Sequence, residues 1–237
     1  MSETLHDTTA VVTGASKGIG KAIAISLAKA GVHVVLAARH EKELTQVQQQ
    51  IRDGGGSCIS VQTDVANEAQ VARLMKTSAQ EFGTVDFLIN NAGYGVFAKV
   101  LDTNVADYDG MMNVNLRGVF LCCKAVLPLM IGKKKGAIIN IASLAGKNSF
   151  VGGATYSATK WGLIGFSRSL MLEVREFNIR VVTICPGSVN TDFSNHTKDS
   201  DKIIQPQDVA DTVLFALTMP ARSNASEIDI RPTVNPH

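Results

Sequence analysis

Cysteine and net charge are both scarce in this sequence of 237 residues. The four cysteines (Cys58, Cys122, Cys123 and Cys185) lack the paired spacing of a metal site, so we expect free thiols in a reducing compartment and no metal. Basic residues number 23 and acidic residues 21, a balance that would not recruit nucleic acid. The sequence therefore predicts neither a metalloprotein nor a nucleic-acid-binding protein.

Long apolar runs are also missing. The first seven residues are polar and lack the apolar core of a signal peptide. The most apolar long stretch, residues 119–131, is too short to span a bilayer and contains Lys124. We therefore expect a cytoplasmic protein that does not have a membrane as a partner.

The composition is that of a well-buried globular core, because 45% of the residues are hydrophobic and 19% are charged. A chain of this length suits one large domain or two small ones. Since no repeat, low-complexity tract or linker divides it, we predict a single domain over residues 1–237.

A glycine-rich turn lies between an apolar run at residues 9–12 and an amphipathic helical pattern. Gly14, Gly18 and Gly20 have the spacing G-x-x-x-G-x-G, and a second apolar run follows at residues 32–38. Strand, glycine turn, helix and strand form the unit that places backbone N–H groups and a helix N-terminus against a pyrophosphate. Glycine turns also join strands to helices without binding anything, but the elements on both sides here favour a nucleotide.

The residues after the second strand indicate which nucleotide. A cofactor with a free 2′-hydroxyl usually meets an acidic residue there, whereas a 2′-phosphate meets a basic one. Arg39 and His40 stand at this place, and Lys17 lies inside the glycine turn. Each could be an ordinary solvated side chain, but together they favour NADP(H).

The rest of the chain continues to alternate between strand and helix patterns. Further strands are predicted at residues 58–61, 85–89, 136–142, 179–184 and 227–230, and further helices at 41–51, 67–82, 111–131, 156–176 and 206–218. This alternation predicts an α/β fold of the Rossmann type, a doubly wound parallel sheet of about seven strands with helices on both faces. The polar stretch 188–205 is a candidate substrate lid.

A hydroxyl, a phenol and an amine follow the fifth predicted strand. Tyr156 and Lys160 are four positions apart, so on a helix they share a face. An ammonium close to the phenol would lower its pKa and make it a proton donor and acceptor near neutral pH. Ser143 could add a second hydrogen bond to a substrate oxygen.

The chain resembles the short-chain dehydrogenase/reductase family over nearly its whole length. The resemblance rests on segments that stand in family order: Thr13-Gly14-x-x-x-Gly18-x-Gly20, Asp64, Asn90-Asn91-Ala92-Gly93, Asn115, Ser143, Tyr156-x-x-x-Lys160 and Pro186-Gly187. It implies that Asn115 belongs with Ser143, Tyr156 and Lys160 to the catalytic set, and that Asn115 fixes a water linking Lys160 to solvent.

The same resemblance implies the cofactor site. Asp64 and Val65 would hold the adenine, Asn91 would lie near the adenosine ribose, Lys160 would bind the nicotinamide ribose, and Val189 with Thr191 would hold the carboxamide. The full implied set is Gly14, Ser16, Lys17, Gly18, Ile19, Gly20, Arg39, His40, Asp64, Val65, Asn91, Ala92, Gly93, Tyr156, Lys160, Pro186, Gly187, Val189 and Thr191.

Among the branches of the family, the chain is most similar to the 3-oxoacyl-acyl carrier protein reductases, through residues 162–170 and its intermediate length. An acidic carrier would need a basic landing surface near the mouth of the site, for which the lysines at 133–135 and Arg175 are candidates; a simple turn is the alternative for 133–135. The helix at 111–131 is apolar nearly all round, which favours a homodimer or homotetramer.

The expected function is NADPH-dependent reduction of a ketone, an aldehyde or a 3-oxoacyl thioester to an alcohol, with Tyr156 as the proton donor. Two alternatives remain open at this point. The same residues could oxidise an alcohol with NADP, or the fold could serve a non-catalytic, regulatory NADP-binding protein.

Overall fold

Strands and helices alternate along the chain. A computed structural model describes residues 5–191, 193 and 202–233. Its strands are β1 (Thr9–Thr13), β2 (His33–Ala38), β3 (Cys58–Gln62), β4 (Phe87–Asn90), β5 (Gly136–Ile141), β6 (Ile179–Pro186) and β7 (Glu227–Ile230). Its α-helices are α1 (Gly18–Lys29), α2 (Glu41–Asp53), α3 (Glu68–Phe82), α4 (Val105–Met112), α5 (Gly118–Lys133), α6 (Ala154–Val174) and α7 (Pro206–Thr218).

The strands form one seven-stranded sheet in the order β3-β2-β1-β4-β5-β6-β7, and each neighbouring pair is parallel. Helices α1, α2 and α7 contribute to the hydrophobic core on one face, and α3, α5 and α6 to the core on the other. Because both faces are covered, the central strands β1, β4 and β5 are buried along their whole length. The predicted doubly wound α/β fold is confirmed.

The strand order indicates where a ligand would bind. The chain leaves β1 toward β2 and β3 on one side, and returns to β4, β5 and β6 on the other. Ligands bind beside such a switch point, outside the carboxyl ends of the strands. The segments that the sequence singles out therefore meet at the carboxyl ends of the strands. They are the glycine turn after β1, Arg39 after β2, Asp64 after β3, Asn91 after β4 and Ser143 after β5.

The three lysines at 133–135 lie at the other side of the sheet from the cavity, at the amino ends of the strands, because they precede β5 rather than follow it. Lys133 Nζ lies 2.5 Å from Asp86 Oδ1, and Asp86 directly precedes β4. Lys134 ends α5 in the left-handed conformation (φ 50°). The expectation of a carrier-binding surface at 133–135 beside the site is therefore wrong, and these residues form the turn between α5 and β5.

The apolar helix predicted at 111–131 is longer and less regular than expected. Helices α4 and α5 are joined by a π-helical turn, Asn113–Arg117, so that Val105–Lys133 is one helical stretch of 29 residues. By length and composition this helix would be able to cross a membrane (mean hydropathy 1.7). The expectation that the apolar stretch is too short to span a bilayer is therefore wrong. Within the structure, 44% of its most apolar window is buried, and side chains of α5 contribute to the core on one face of the sheet.

Local signals set several element ends. The Asn67 side chain accepts a hydrogen bond from the Gln70 N–H at the start of α3, and Gly83 ends α3 with a φ of 74°. Pro206 begins α7, where Gln205 and Asp208 form a capping box. Half of the predicted lid, residues 188–205, lies outside the described residues.

Candidate active site

One cavity of about 1290 Å³ opens at the carboxyl edge of the sheet. It is lined by residues that follow β1 to β6 and by Tyr156 and Lys160 of α6. Of the site residues predicted from the sequence, only Gly20 and Asn115 are not part of its lining, and both contact residues that are. The structure thus brings the nucleotide-binding motif and the Ser143, Tyr156 and Lys160 set into one space.

The glycine turn is held to the end of β4 by side-chain hydrogen bonds. Asn91 Nδ2 donates to the carbonyl oxygens of Thr13 (3.0 Å) and Gly14 (3.2 Å). Thr13 Oγ1 accepts from the N–H groups of Asn91 (3.0 Å) and Ala92 (3.1 Å). A Cβ at Gly20 would lie 2.2 Å from the Gly14 oxygen, so only glycine fits there. The sequence does not reveal this role of Thr13 and Asn91 in shaping the turn.

The nucleotide end of the cavity suits an anion. Helix α1 begins in the glycine turn, and its first turn, residues 18–21, contains no acidic side chain. Gly18 and Ile19 of that turn line the cavity together with Lys17, Arg39 and His40. A helix N-terminus and basic side chains favour phosphate groups. This donor set and the space left by the glycines fit a dinucleotide that carries an additional phosphate.

Asp64, the acidic residue at this end, has a defined orientation. Its Oδ1 accepts a hydrogen bond from the Ala66 N–H (2.9 Å), and its own N–H donates to Gln70 Oε1 (2.8 Å). These contacts hold the loop after β3 against the cavity, beside Val65.

The loop after β6 approaches the glycine turn. The Gly187 N–H donates to the Ile230 oxygen of β7 (2.9 Å), and Thr191 Cγ2 would lie 3.4 Å from a Cβ at Gly18. Pro186, Gly187, Val189 and Thr191 all line the cavity here. The loop therefore forms the wall expected of the residues that hold the nicotinamide end.

The phenol, the amine and the hydroxyl come from two elements. Tyr156 and Lys160 lie on α6, and both are at least 93% buried. Lys160 Nζ lies 5.8 Å from the centre of the Tyr156 ring and donates to the Ile141 oxygen (3.0 Å). Ser143 follows β5, and its Oγ accepts from the Ala145 N–H (3.1 Å). Since that contact uses a lone pair, the Ser143 proton remains available for donation.

Burial acts in opposite directions on the two titratable groups. It raises the pKa of Tyr156 to about 12, and a hydrogen bond with Ser143 acts against this rise. Burial lowers the pKa of Lys160 to about 8, with the Cys185 thiol acting in the opposite direction. The sequence predicted a lowered tyrosine pKa, and this is wrong for the structure because loss of water around the phenol outweighs the stabilisation of its charged form.

Asn115 lies in the π-helical turn and holds the loop after β4. Its Oδ1 accepts from the Tyr94 N–H (3.0 Å), and its Nδ2 donates to the Tyr94 oxygen (2.8 Å) and to Thr159 Oγ1 (3.2 Å). The side chain thus connects the loop to α6, one residue before Lys160. The water relay through Asn115 stays a prediction.

Among the cavity residues that sequence reasoning missed are three phenylalanines. Phe97, Phe150 and Phe193 lie in loops after three different strands, and all contribute to one aromatic cluster with Tyr156. No periodic pattern connects residues so far apart in the chain, so the sequence contains no local signal for them.

Comparisons with known proteins agree with this geometry. A family model described as short chain dehydrogenase matches residues 8–202. An uncharacterized oxidoreductase of Staphylococcus aureus strain N315 is 40% identical over 229 residues, which cover 96% of this chain and 98% of the relative.

Two solved structures resemble the whole chain. One is a metagenomic short-chain oxidoreductase in complex with NADP (38% identity, TM-score 0.88, 98% of this chain and 100% of the other). The other is an alcohol dehydrogenase from the archaeon Thermococcus sibiricus complexed with 5-hydroxy-NADP (27% identity, TM-score 0.90, 97% of this chain and 99% of the other).

Proposed function

The chain belongs to the short-chain dehydrogenase family, and from that premise we propose that it reduces a ketone or an aldehyde to an alcohol with NADPH. The observation that carries the proposal is the single cavity shared by the glycine turn and by Ser143, Tyr156 and Lys160. Bringing a nucleotide site and a buried proton donor together is what hydride transfer to a carbonyl requires.

NADP(H) is the cofactor, and both solved structures described above carry NADP or an analogue of it. In this chain the N-terminus of α1, Lys17, Arg39 and His40 would hold its phosphates, and the loop after β6 would hold its nicotinamide end. When bound, NADPH supplies the hydride that the carbonyl carbon accepts.

The protein's own residues supply the proton and the orientation. The Ser143 hydroxyl donates a hydrogen bond to the carbonyl oxygen, which places the oxygen beside the Tyr156 phenol. Tyr156 then gives its proton to that oxygen as the alcohol forms. Lys160, with a pKa lowered to about 8, carries its charge at neutral pH beside the phenol and favours the phenolate that is left behind.

The protonation state of Tyr156 at neutral pH is the one that carbonyl reduction needs. With a value of about 12 the phenol holds its proton throughout the neutral range, so it is ready to act as an acid. Oxidation of an alcohol by the same residues is the second candidate, and it would need the phenolate. A 3-oxoacyl thioester, free or on an acyl carrier protein, remains one candidate carbonyl substrate, and the test below includes it.

The test is NADPH consumption with a panel of aldehydes, ketones and acetoacetyl thioesters, with alcohols and NADP in parallel. Tyr156→Phe removes only the transferable proton, so kcat should fall about 10²–10⁴-fold while NADPH binding survives. Tyr108→Phe, in an exposed position of α4, is the matched control and should keep full activity.

Two outcomes would contradict the proposal. If no carbonyl compound consumes NADPH although NADPH binds, the protein is a binding protein rather than a reductase. If Tyr156→Phe keeps most of its activity, the proton comes from another group.

A further inference from the structure

The cavity has two chemically different halves. Lys17, Arg39 and Asp64 follow β1, β2 and β3, which lie on one side of the switch point. Phe97, Phe150 and Phe193 follow β4, β5 and β6 on the other side. The first half therefore takes the charged phosphate end of the nucleotide, and the second half, which contains Tyr156, takes the nicotinamide end and the substrate.

The three phenylalanines form a continuous aromatic wall beside Tyr156. The ring centre of Phe97 lies 5.4 Å from that of Tyr156, 5.8 Å from that of Phe150 and 6.1 Å from that of Phe193. The rings of Tyr156 and Phe193 are 5.6 Å apart. Each phenylalanine is still 42–47% exposed, so the rings present apolar surface that protein atoms do not cover.

Two glycines allow this wall to form. A Cβ at Gly95 would lie 2.9 Å from Phe97 Cζ and 3.1 Å from Phe193 Cζ. A Cβ at Gly153 would lie 2.3–2.6 Å from atoms of the Phe150 ring. The rings are therefore packed directly against the backbone, which limits their movement and leaves their remaining faces as a preformed surface.

Among the described residues that line this half, Lys160 is the one charged side chain. The other described lining residues after β4, β5 and β6 are uncharged, among them Leu144, Ala145, Asn148, Ser149 and Asn190. A substrate with a carboxylate or a phosphate would lose its hydration there without a counter-charge from these residues.

We infer that the substrate is an uncharged carbonyl compound with an aromatic ring close to the carbonyl group, and that Phe97, Phe150 and Phe193 determine this specificity. The inference rests on the proposed reductase function. Offset or edge-to-face contacts between aromatic rings strengthen binding beyond simple burial, by roughly 2- to 10-fold for each ring pair. Hydrogen bonds of Ser143 and Tyr156 to the carbonyl oxygen would hold the attached ring against the wall.

The test compares two ketones of similar size, acetophenone and cyclohexyl methyl ketone, with saturating NADPH. The measured quantity is the ratio of their kcat/KM values, and its change between proteins cancels their different intrinsic reactivities. Phe150→Leu and Phe97→Leu keep an apolar side chain but remove the ring, so the ratio should fall about 5- to 10-fold. Phe215→Leu is the matched control, since Phe215 is exposed on α7 outside the cavity, and the ratio should stay within about twofold.

A second comparison tests the charge argument. Methyl 4-acetylbenzoate and 4-acetylbenzoate carry the same ketone and differ in a distant ester or carboxylate. The ester should have a kcat/KM at least about tenfold higher.

Failure of this inference differs from failure of the proposed function. If NADPH is consumed but the ratio of kcat/KM values for the two ketones is the same in Phe150→Leu, Phe97→Leu and the wild type, the phenylalanines do not select for an aromatic ring. If the carboxylate is reduced as well as the ester, the pocket does not select uncharged substrates. If no ketone or aldehyde is reduced at all, the proposed function is wrong.

Discussion

At the scale of single residues, burial of Lys160 has a thermodynamic cost that is separate from its chemistry. The side chain is 6% exposed, and burial lowers its pKa from 10.5 to about 8. Below pH 8 the folded protein holds a buried ammonium, which lowers the free energy of unfolding relative to a protein without that charge. Active sites often accept such a cost for function.

The sign of this effect gives a testable pH dependence. Between pH 8 and pH 10.5 the unfolded chain keeps the Lys160 proton while the folded protein has lost it, so stability rises with pH. Over this range the free energy of unfolding of the wild type should gain roughly 2–4 kcal/mol relative to Lys160→Met. Urea unfolding of both proteins at several pH values measures the difference.

The control for this experiment is Lys124→Met, because the Lys124 side chain is 62% exposed. Its unfolding free energy should follow that of the wild type at every pH. An equal pH response in the wild type and Lys160→Met would mean that Lys160 titrates normally in the folded protein.

At the same scale, we propose that Arg39 determines the choice of cofactor. It is exposed, lines the nucleotide half of the cavity, and has its carbonyl oxygen fixed by Gln62 Nε2 (2.9 Å). Charge-assisted hydrogen bonds to a 2′-phosphate contribute about 1.5–3 kcal/mol each. The wild type should therefore bind NADPH at least about tenfold more tightly than NADH, and Arg39→Asp should reverse the preference.

Fluorescence titration with both cofactors measures this preference. Lys42→Asp introduces the same change of charge in an exposed position of α2 outside the cavity lining, and its preference should stay that of the wild type. Equal affinities of the wild type for the two cofactors would show that Arg39 does not bind the 2′-phosphate.

At the scale of elements, the π-helical turn determines where Asn115 points. The extra residue in the turn Asn113–Arg117 interrupts the regular α-helical pattern between α4 and α5. The Asn115 amide then meets the backbone of Tyr94 and the hydroxyl of Thr159. The turn thereby connects the loop after β4 to α6, and π-helical turns of this kind often occur at functional sites.

Asn115→Ala tests this connection. The substitution leaves the partly buried N–H and oxygen of Tyr94 without the Asn115 amide as a partner. The free energy of unfolding should therefore fall by roughly 2–4 kcal/mol, and catalysis should weaken as the loop shifts. Asn113→Ala removes an exposed amide from the same turn and should change stability little. Chemical denaturation of both variants gives the comparison, and equal stabilities would show that the Tyr94 contacts do not matter.

At the scale of the whole molecule, the outer surface of α5 and α6 carries exposed apolar side chains. Phe120 of α5 is 46% exposed and contacts Phe166 of α6, with ring centres 6.4 Å apart. Trp161 and Leu172 of α6 are 53% and 59% exposed and lie three helical turns apart on one face. We propose that this surface pairs with a second copy of the chain.

A charge placed on this surface should prevent the pairing. Phe120→Asp should sediment as a species of 25.2 kDa, whereas the wild type should be at least a dimer at micromolar concentration. Lys76→Asp changes an exposed residue of α3 on the same face of the sheet, and it should leave the assembly intact. A wild type that sediments as a monomer would exclude the proposed homo-oligomer.

The fold class, the glycine-rich turn and the trio of Ser143, Tyr156 and Lys160 could be predicted from the amino-acid sequence alone. These signals are local. Alternating apolar runs indicate parallel strands, glycine spacing records a tight turn, and positions four apart on a helix share a face. The family resemblance joined these local signals into one site, and the cavity brings nearly all of those residues together.

Features that depend on burial and on contacts between distant segments could not be predicted without the three-dimensional structure. The pKa of Tyr156 rises because its surroundings exclude water. The sequence shows that Lys160 shares a helix face with the phenol, but it does not show how deeply the phenol is buried. The lysines at 133–135 lie at the amino ends of the strands, away from the cavity, because they precede β5 in a parallel sheet. Phe97, Phe150 and Phe193 meet because β4, β5 and β6 are neighbours in the sheet, and no spacing in the chain records that order.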